Sequence, residues 1–124
     1  MIAQDFAGSL EEAARAEAWA VEQSARLALP EAARFALSLC VEELFVNAVT
    51  HGRAARVRLA LDADTLEFRD DGAAFDPTQA PAKRLNGAGD FEIGGFGTGL
   101  LQKFARRLDY RRADGWNVVR LAFV

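Results

Sequence analysis

The pattern of apolar and polar positions in the first fifty residues predicts two helices. Ser9, with Glu12 three residues later, is typical of a capping box. The helix that follows is amphipathic and Ala-rich, with a predicted apolar stripe of Leu10, Ala14, Ala18, Val21 and Ala25. Pro30 suits the opening of a second helix through "EAARFALSLCVEELFVNAVT", and Gly52 is the predicted C-cap.

Beyond this point the pattern changes to that of strands. "ARVRLALD" alternates between two sets of residues, Val57, Leu59 and Leu61 against Arg56, Arg58 and Ala60. "LEFR" begins a paired strand, and "QDFAGS" near the N-terminus is a short first strand. "LLQKFARRLDYRR" begins as a helix with an apolar face of Leu100, Leu101, Phe104 and Leu108. "DYRRADGWNVVRLAFV" closes as a hairpin with "ADG" as its turn.

The resulting order of elements is β-α-α-β-β-loop-α-β-β. Strands joined by hairpins, with the helices grouped together, indicate an α+β sandwich with an antiparallel or mixed sheet and helices on one face. A chain of 124 residues that is 51% hydrophobic and 27% charged fits one domain, residues 1–124.

Composition excludes several classes of function. The formal net charge of −3 and pI of 5.2 argue against nucleic acid as the main partner. No apolar run reaches the length of a membrane span, and the acidic N-terminus lacks a signal core, so we expect a cytoplasmic protein. Cys40, the only cysteine, lies in an apolar run and is predicted to be buried.

The second helix carries candidate chemistry. Glu43 and Asn47 are four residues apart and project from one face, whereas Glu42 lies about 100° round the helix and is predicted to be solvated. Ordinary surface or core hydrogen bonds explain this pair if it is taken alone. An asparagine oxygen is, however, a suitable ligand for Mg²⁺, and a glutamate can orient a water or hydroxyl.

Two loops add to that pair. "DDGAAFDP" at 70–77 follows a strand, and its Asp70 can accept a hydrogen bond from an exocyclic amine. "GGFGTG" at 94–99 precedes a helix, where glycine N–H groups can approach an anion. This run is neither a Walker loop, since no "GK[ST]" follows, nor a dinucleotide fingerprint. Residues 70–99 form about thirty residues with no periodic pattern, and loops of this length in compact domains are usually functional or disordered. Together with Glu43 and Asn47, the two loop motifs favour a nucleotide pocket.

These segments in order, "EELFVNAVTHG", "DDGAAFDP", "GGFGTGLLQKFARRLDY" and "GWNVVRL", resemble the boxes of the GHKL (Bergerat-fold) ATPases. Within that superfamily they are most similar to the bacterial anti-sigma-factor serine kinases, over about residues 30–123. The resemblance implies a Bergerat-type two-layer α/β sandwich with a mixed, mostly antiparallel sheet, and an ATP lid at residues 76–96.

The resemblance also assigns roles to residues of this chain. It implies Glu43 as the catalytic residue, Asn47 as the Mg²⁺ ligand, and Asp70 as the adenine contact beside Gly72, which shapes the turn. Asn117 falls where the family often has a polar residue near adenine. The full implied nucleotide-binding set is Asn47, Asp70, Gly72, Gly95, Gly97, Thr98, Gly99 and Leu100. The chain departs from the family at Ala74, where a second glycine is usual, and this change could narrow the turn or weaken nucleotide affinity.

Length selects among the branches of this superfamily. Topoisomerases, chaperones and mismatch-repair ATPases need further domains, and the single histidine, His51, is a poor phosphoacceptor because it lies in the helix box. The resemblance therefore implies a stand-alone partner-switching kinase that uses ATP and Mg²⁺ to phosphorylate a serine of an antagonist protein. It also implies a sigma factor or another regulator as a second partner, and a homodimer. The alternatives are a non-catalytic nucleotide-binding adaptor that sequesters a partner, and a degenerate fold that binds no nucleotide.

Overall fold

A computed structural model describes residues 1–79 and 101–123 of the chain. The elements are β1 (Ile2–Ala7), α1 (Leu10–Arg26), α2 (Glu31–Thr50), β2 (Arg56–Asp62), β3 (Thr65–Asp70), β4 (Arg107–Ala113) and β5 (Trp116–Ala122). Their order and type confirm the predicted α+β class. The strands form one sheet in the order β1-β2-β3-β5-β4, and each of its pairings is antiparallel.

Both helices pack on the same face of the sheet. Alternate strand residues point toward them and are almost fully buried, namely Phe6, Val57, Leu59, Leu61, Leu66, Phe68, Val119 and Leu121. An edge-to-face series of aromatic rings joins the layers, with centroids 6.2 Å apart for Phe6 and Phe45 and 6.3 Å apart for Phe45 and Phe68. These contacts fix α2 against β3, which places Asn47 above the end of that strand.

The predicted apolar stripe of α1 was wrong. Leu10 is 57% exposed and Val21 is 38% exposed, and the buried positions are Ala13, Ala16, Ala20, Gln23 and Ser24. Helix α1 packs closely on α2, so the smallest side chains turn inward and the larger ones face out. Alanines occur on both sides of this helix, and hydrophobicity alone does not distinguish the two sides.

Three predicted features at the ends of elements differ in the structure, namely a capping box, a C-cap and the end of a helix. Ser9 is the N-cap of α1, but its side chain makes no capping hydrogen bond, and the Glu12 carboxylate pairs with Arg15 at 3.0 Å instead. Helix α2 ends at a C-cap of His51 rather than Gly52, and the left-handed residue is Arg53, with φ of 55°. The helix predicted from residue 100 ends near residue 104.

Leu108 therefore lies in a strand rather than on a helix face. It belongs to β4 and faces Leu121 of β5 across the ladder. The predicted hairpin turn is confirmed, because Asp114 and Gly115 both have positive φ, 52° and 83°, as a two-residue type I′ turn requires. This turn sets the register of β4 against β5.

Candidate functional site

A shallow depression lies between α2, the end of β3, the loop that follows β3, and the start of β5, and three of its lining residues are polar. Its lining residues are Leu44, Asn47, Ala48, Asp70, Ala73, Phe75, Pro77, Asn117 and Val119. The enclosed part has a volume of about 20 Å³, which is room for a water molecule rather than a purine. Phe75, one of the lining residues, is 44% exposed.

Asp70 ends β3 and points its carboxylate into this depression. The residue is 6% exposed. Its Oδ1 accepts hydrogen bonds from the Gly72 amide at 2.9 Å and from Asn117 Nδ2 at 3.0 Å. Its Oδ2 makes no hydrogen bond to any residue that the structure describes. Burial raises the pKa of Asp70 above its ordinary value, and the hydrogen bonds from Asn117 and Gly72 offset part of that rise.

Asn117 holds the site together from β5, where it lies directly opposite Asp70 in the ladder. Its Nδ2 donates to Asp70 and also to the Ala73 carbonyl at 2.8 Å. Its Oδ1 accepts from the Tyr110 hydroxyl at 2.6 Å and from the Phe75 amide at 3.2 Å. One buried amide thus ties the strand end to the loop at two points.

Gly72 allows the loop to approach the end of α2. The Ala73 amide donates to the Gly52 carbonyl at 3.0 Å, and a Cβ added to Gly72 would lie 2.7 Å from that same carbonyl oxygen. Arg112 braces the loop from the other side, because its guanidinium donates to the Gly72 carbonyl at 2.8 Å. Only a residue without a side chain fits between these two contacts.

The two other aspartates of "DDGAAFDP" have structural roles. Asp71 Oδ1 accepts from the amides of Ala55 and Arg56 at 2.8 and 2.9 Å, which anchors the start of β2. Asp76 Oδ1 accepts from the Thr78 amide at 2.9 Å and closes a local turn. Of the three carboxylates, only that of Asp70 lines the depression.

Asn47 enters the depression from α2. It is 7% exposed, and its side-chain Nδ2 is buried with no hydrogen-bond partner among the described residues. A buried polar group without a partner is costly, so this amide fits a site that a ligand or ordered water completes.

Glu43 lies one turn earlier on the same helix, half-buried, and is not among the residues that line the depression. Burial, and then the charge of the neighbouring Glu42, raise the pKa of Glu43 above its ordinary value. Glu42 itself is exposed, as predicted. Cys40 is fully buried, and burial, with the charge of Glu43, raises the pKa of its thiol to about 12, which makes it a packing residue.

Part of the predicted site lies outside the described residues. Gly95, Gly97, Thr98, Gly99 and Leu100 all fall there, as does the predicted lid beyond residue 79. These assignments stay predictions.

Sequence reasoning missed two residues of the site, Tyr110 and Arg112. Both belong to β4, the strand at the edge of the sheet, and reach the site across β5 and the loop. Their only sequence signal is the alternating pattern of "LDYRRA", which was partly assigned to a helix.

In residues 1–79 and 101–123, neither helix has the length and apolar character needed to cross a membrane. The same residues hold no cluster of three or more His, Cys, Asp or Glu side chains suited to a metal ion. Mg²⁺ usually keeps several water ligands and takes others from phosphates, so the side-chain oxygen of Asn47 could serve as its single ligand from the protein.

The antiparallel sheet with two helices packed on one face is a fold shared with known structures. A solved structure of the RsbU and RsbW domains of Rv1364c from Mycobacterium tuberculosis matches it with a TM-score of 0.65 at 14% identity. The match covers 99% of this chain but only 32% of that one, so the present chain spans about a third of its length.

The sequence comparisons identify the family. The model of the histidine kinase-like ATPase domain matches residues 6–123. The chain is also 39% identical over 97 residues to the serine/threonine-protein kinase BtrW of Bordetella bronchiseptica, with 71% of this chain and 68% of that protein covered. The chain belongs to the histidine kinase-like ATPase family, and the resemblance predicted from its sequence is confirmed.

Proposed function

We propose that this chain is an ATP-dependent protein kinase of the anti-sigma-factor type, which phosphorylates a serine of an antagonist protein. The observation that carries the proposal is the buried carboxylate of Asp70, whose Oδ2 has no hydrogen-bond partner among residues 1–79 and 101–123, in a depression that Asn47 also lines. The buried side-chain nitrogen of Asn47 likewise has no partner among those residues. The identity to a named serine/threonine-protein kinase supports the choice of reaction.

Each residue has a role in this proposal. Asp70 Oδ2 accepts a hydrogen bond from the amino group of adenine, and Asn47 contributes one oxygen ligand to Mg²⁺. When bound, Mg²⁺ neutralises charge on the phosphates. Glu43 takes the proton of the incoming serine hydroxyl as the serine oxygen bonds to the γ-phosphorus. The bond from that phosphorus to the β–γ bridging oxygen then breaks, and ADP leaves.

The elevated pKa of Glu43 supports its role as a general base. A base works best when its pKa lies near the operating pH, and burial moves this carboxyl in that direction. Residues Gly95, Gly97, Thr98, Gly99 and Leu100 complete the proposal as phosphate contacts. The antagonist, a sigma factor or similar regulator, and a second copy of the chain are the proposed partners.

A non-catalytic adaptor that binds nucleotide and sequesters a partner is the second candidate. The presence of Ala74 in the turn, where the family usually has a glycine, favours it. Incubation with Mg-ATP and candidate antagonists, followed by detection of phosphoserine, separates a kinase from an adaptor.

Mg-ATP and Mg-ADP are expected to stabilise the fold. A ligand that binds only the native state at 100 times its Kd adds about 2.7 kcal/mol to the free energy of unfolding. Thermal unfolding at millimolar nucleotide measures this effect, with nucleotide-free protein as the reference. An unchanged melting temperature would mean that the depression binds no nucleotide and that the fold is degenerate.

Gly72→Ala is expected to lower both stability and nucleotide binding. The added Cβ meets the Gly52 carbonyl at 2.7 Å, so the loop must move away from α2 at a cost of about 1–3 kcal/mol. Gly115→Ala is the matched control. It has no atom within 4 Å of its Cβ but a φ of +83°, so it loses about 1–2 kcal/mol through backbone strain far from the site. Calorimetric titration with Mg-ATP should show weaker binding for Gly72→Ala only, and equal affinities would argue against a role for this close approach.

A further inference from the structure

The buried amide of Asn117 has no hydrogen-bonding capacity left for a ligand. An asparagine side chain offers two donor hydrogens and two acceptor lone pairs. Both donors are used by Asp70 Oδ1 and the Ala73 carbonyl, and both acceptor positions by the Tyr110 hydroxyl and the Phe75 amide. Asn117 therefore acts on a ligand only through the groups that it holds.

The orientation of this amide follows from the polarity of its backbone partners. The Ala73 carbonyl can only accept, and the Phe75 amide can only donate, so Nδ2 must face the first and Oδ1 the second. Tyr110 adds a second donor to Oδ1 at 2.6 Å. With the amide fixed in this way, a donor always points at Asp70.

The two carboxylate oxygens of Asp70 therefore differ in their capacity to accept a further hydrogen bond. A carboxylate oxygen has about two lone-pair sites, and Oδ1 has both occupied, by the Gly72 amide and by Asn117. Oδ2 alone remains to accept a hydrogen bond from a ligand. Asp70 and Asn117 are 6% and 3% exposed, so water cannot easily replace a donor that Oδ1 releases.

We propose that Asn117, oriented by the Ala73 carbonyl and the Phe75 amide, is a positioning residue that makes Asp70 a single acceptor and thereby selects adenine over guanine nucleotides. This inference rests on the proposed function. Guanine presents a ring N–H beside an amino group, and two parallel donors suit a carboxylate with both oxygens free. Adenine presents one amino donor beside a ring acceptor, so it needs only Oδ2.

The test compares the affinities of Mg-ATP and Mg-GTP for wild type, Asn117→Leu and Tyr110→Phe by calorimetric titration. Wild type is expected to prefer ATP. Asn117→Leu frees one site on Oδ1, so the ratio of ATP to GTP affinity should fall about tenfold, the value of one hydrogen bond to a charged group. Tyr110→Phe removes one of two donors on the amide oxygen, but the Ala73 carbonyl and the Phe75 amide still fix the orientation of Asn117, so the ratio should change little.

Arg112→Ala is the matched control for a loosened loop. It removes the hydrogen bond to the Gly72 carbonyl but leaves both donors on Asp70 Oδ1 in place. It should weaken ATP and GTP alike and leave their ratio unchanged.

The outcomes separate this inference from the proposed function. If wild type binds ATP but the ratio is unchanged in Asn117→Leu, the positioning role is wrong and nucleotide binding stands. If Asn117→Leu lowers the affinities for ATP and GTP equally, Asn117 has only a structural role. If wild type binds neither nucleotide, the proposed function and this inference fail together. Should Asn117→Leu not fold, Asn117→Ala decides, because it removes the same donor to Asp70 Oδ1 with a smaller side chain.

Discussion

Glu43→Ala is expected to lower phosphotransfer by about 10²–10⁴-fold while leaving Mg-ATP binding nearly intact, because general-base catalysis has that typical value. The substrate hydroxyl is absent until the protein substrate docks, so Glu43 contributes little to the nucleotide complex. Its raised pKa also predicts an acidic limb of the pH–rate profile above the ordinary value of 4.5. Quantifying phosphoserine on an antagonist that wild type phosphorylates gives the rate.

Asn47→Ala, one turn away on the same helix, is the comparison for Glu43→Ala. It should lose both binding and transfer, because the amide contributes to the ground-state metal complex. Melting curves must show both variants folded. A Glu43→Ala protein that turns over at the wild-type rate would remove the catalytic assignment, and a wild type that is inert toward every antagonist would favour the adaptor.

Asp70→Asn is expected to weaken ATP binding roughly 10- to 100-fold, the equivalent of one hydrogen bond to a charged group. The new amide keeps an oxygen for Gly72 and Asn117, but it presents a donor to the amino group of adenine where Oδ2 was an acceptor. Calorimetric titration with Mg-ATP measures the loss. Unaltered affinity would assign Asp70 to the turn alone.

The same change should leave the nucleotide-free protein at least as stable as wild type at pH 7. The pKa of Asp70 is raised on folding, so its contribution to stability is present below the unfolded value of 3.8 and is lost as pH rises through the window up to the folded pKa. At neutral pH the buried carboxylate is therefore a net cost, which asparagine removes. The advantage of the variant should disappear as the pH falls through that window.

Asp71→Asn is the control, because its effect on the stability of the fold at pH 7 is expected to have the opposite sign. Desolvation is the largest single influence on the pKa of Asp71 and would raise it, but the hydrogen bonds from Arg56 and Ala55 together lower it. Its charge thus stabilises the fold above the unfolded pKa, and this contribution is lost as pH falls. Asp71→Asn should lower stability at pH 7 and leave ATP affinity unchanged.

The sequence predicted the strand and helix order because periodicity is strong wherever one face is buried. The alternation of Val57, Leu59 and Leu61 with charged residues is decisive for β2. Two predictions failed where local pattern is ambiguous. The alanines of α1 suit either face of the helix, so only packing against α2 determines which of them are buried. Leu108 fits both a helical and a strand period, so only pairing with β5 determines that it lies in a strand.

Individual residues of the site were predictable from the sequence, but the hydrogen bonds that join them across segments were not. Asn47 and Asp70 are marked by residue type and position, and the structure brings them to one depression. The division of roles among Asp70, Asp71 and Asp76 depends on which amides each carboxylate meets, and those amides belong to other segments. The alternating pattern of "LDYRRA" marks Tyr110 as a strand residue only, because its role at the site depends on an asparagine on the neighbouring strand.

The register that sets Asn117 opposite Asp70 joins residues 47 positions apart in the chain. A pairing of this range forms only after a long segment has closed into a loop, which is a slow, entropically opposed step. During synthesis, Asp70 therefore lacks its hydrogen bond from Asn117 until β5 has left the ribosome. The depression is then completed together with the sheet. In the proposed function, a growing chain gains no stability from ATP before its last strands are in place.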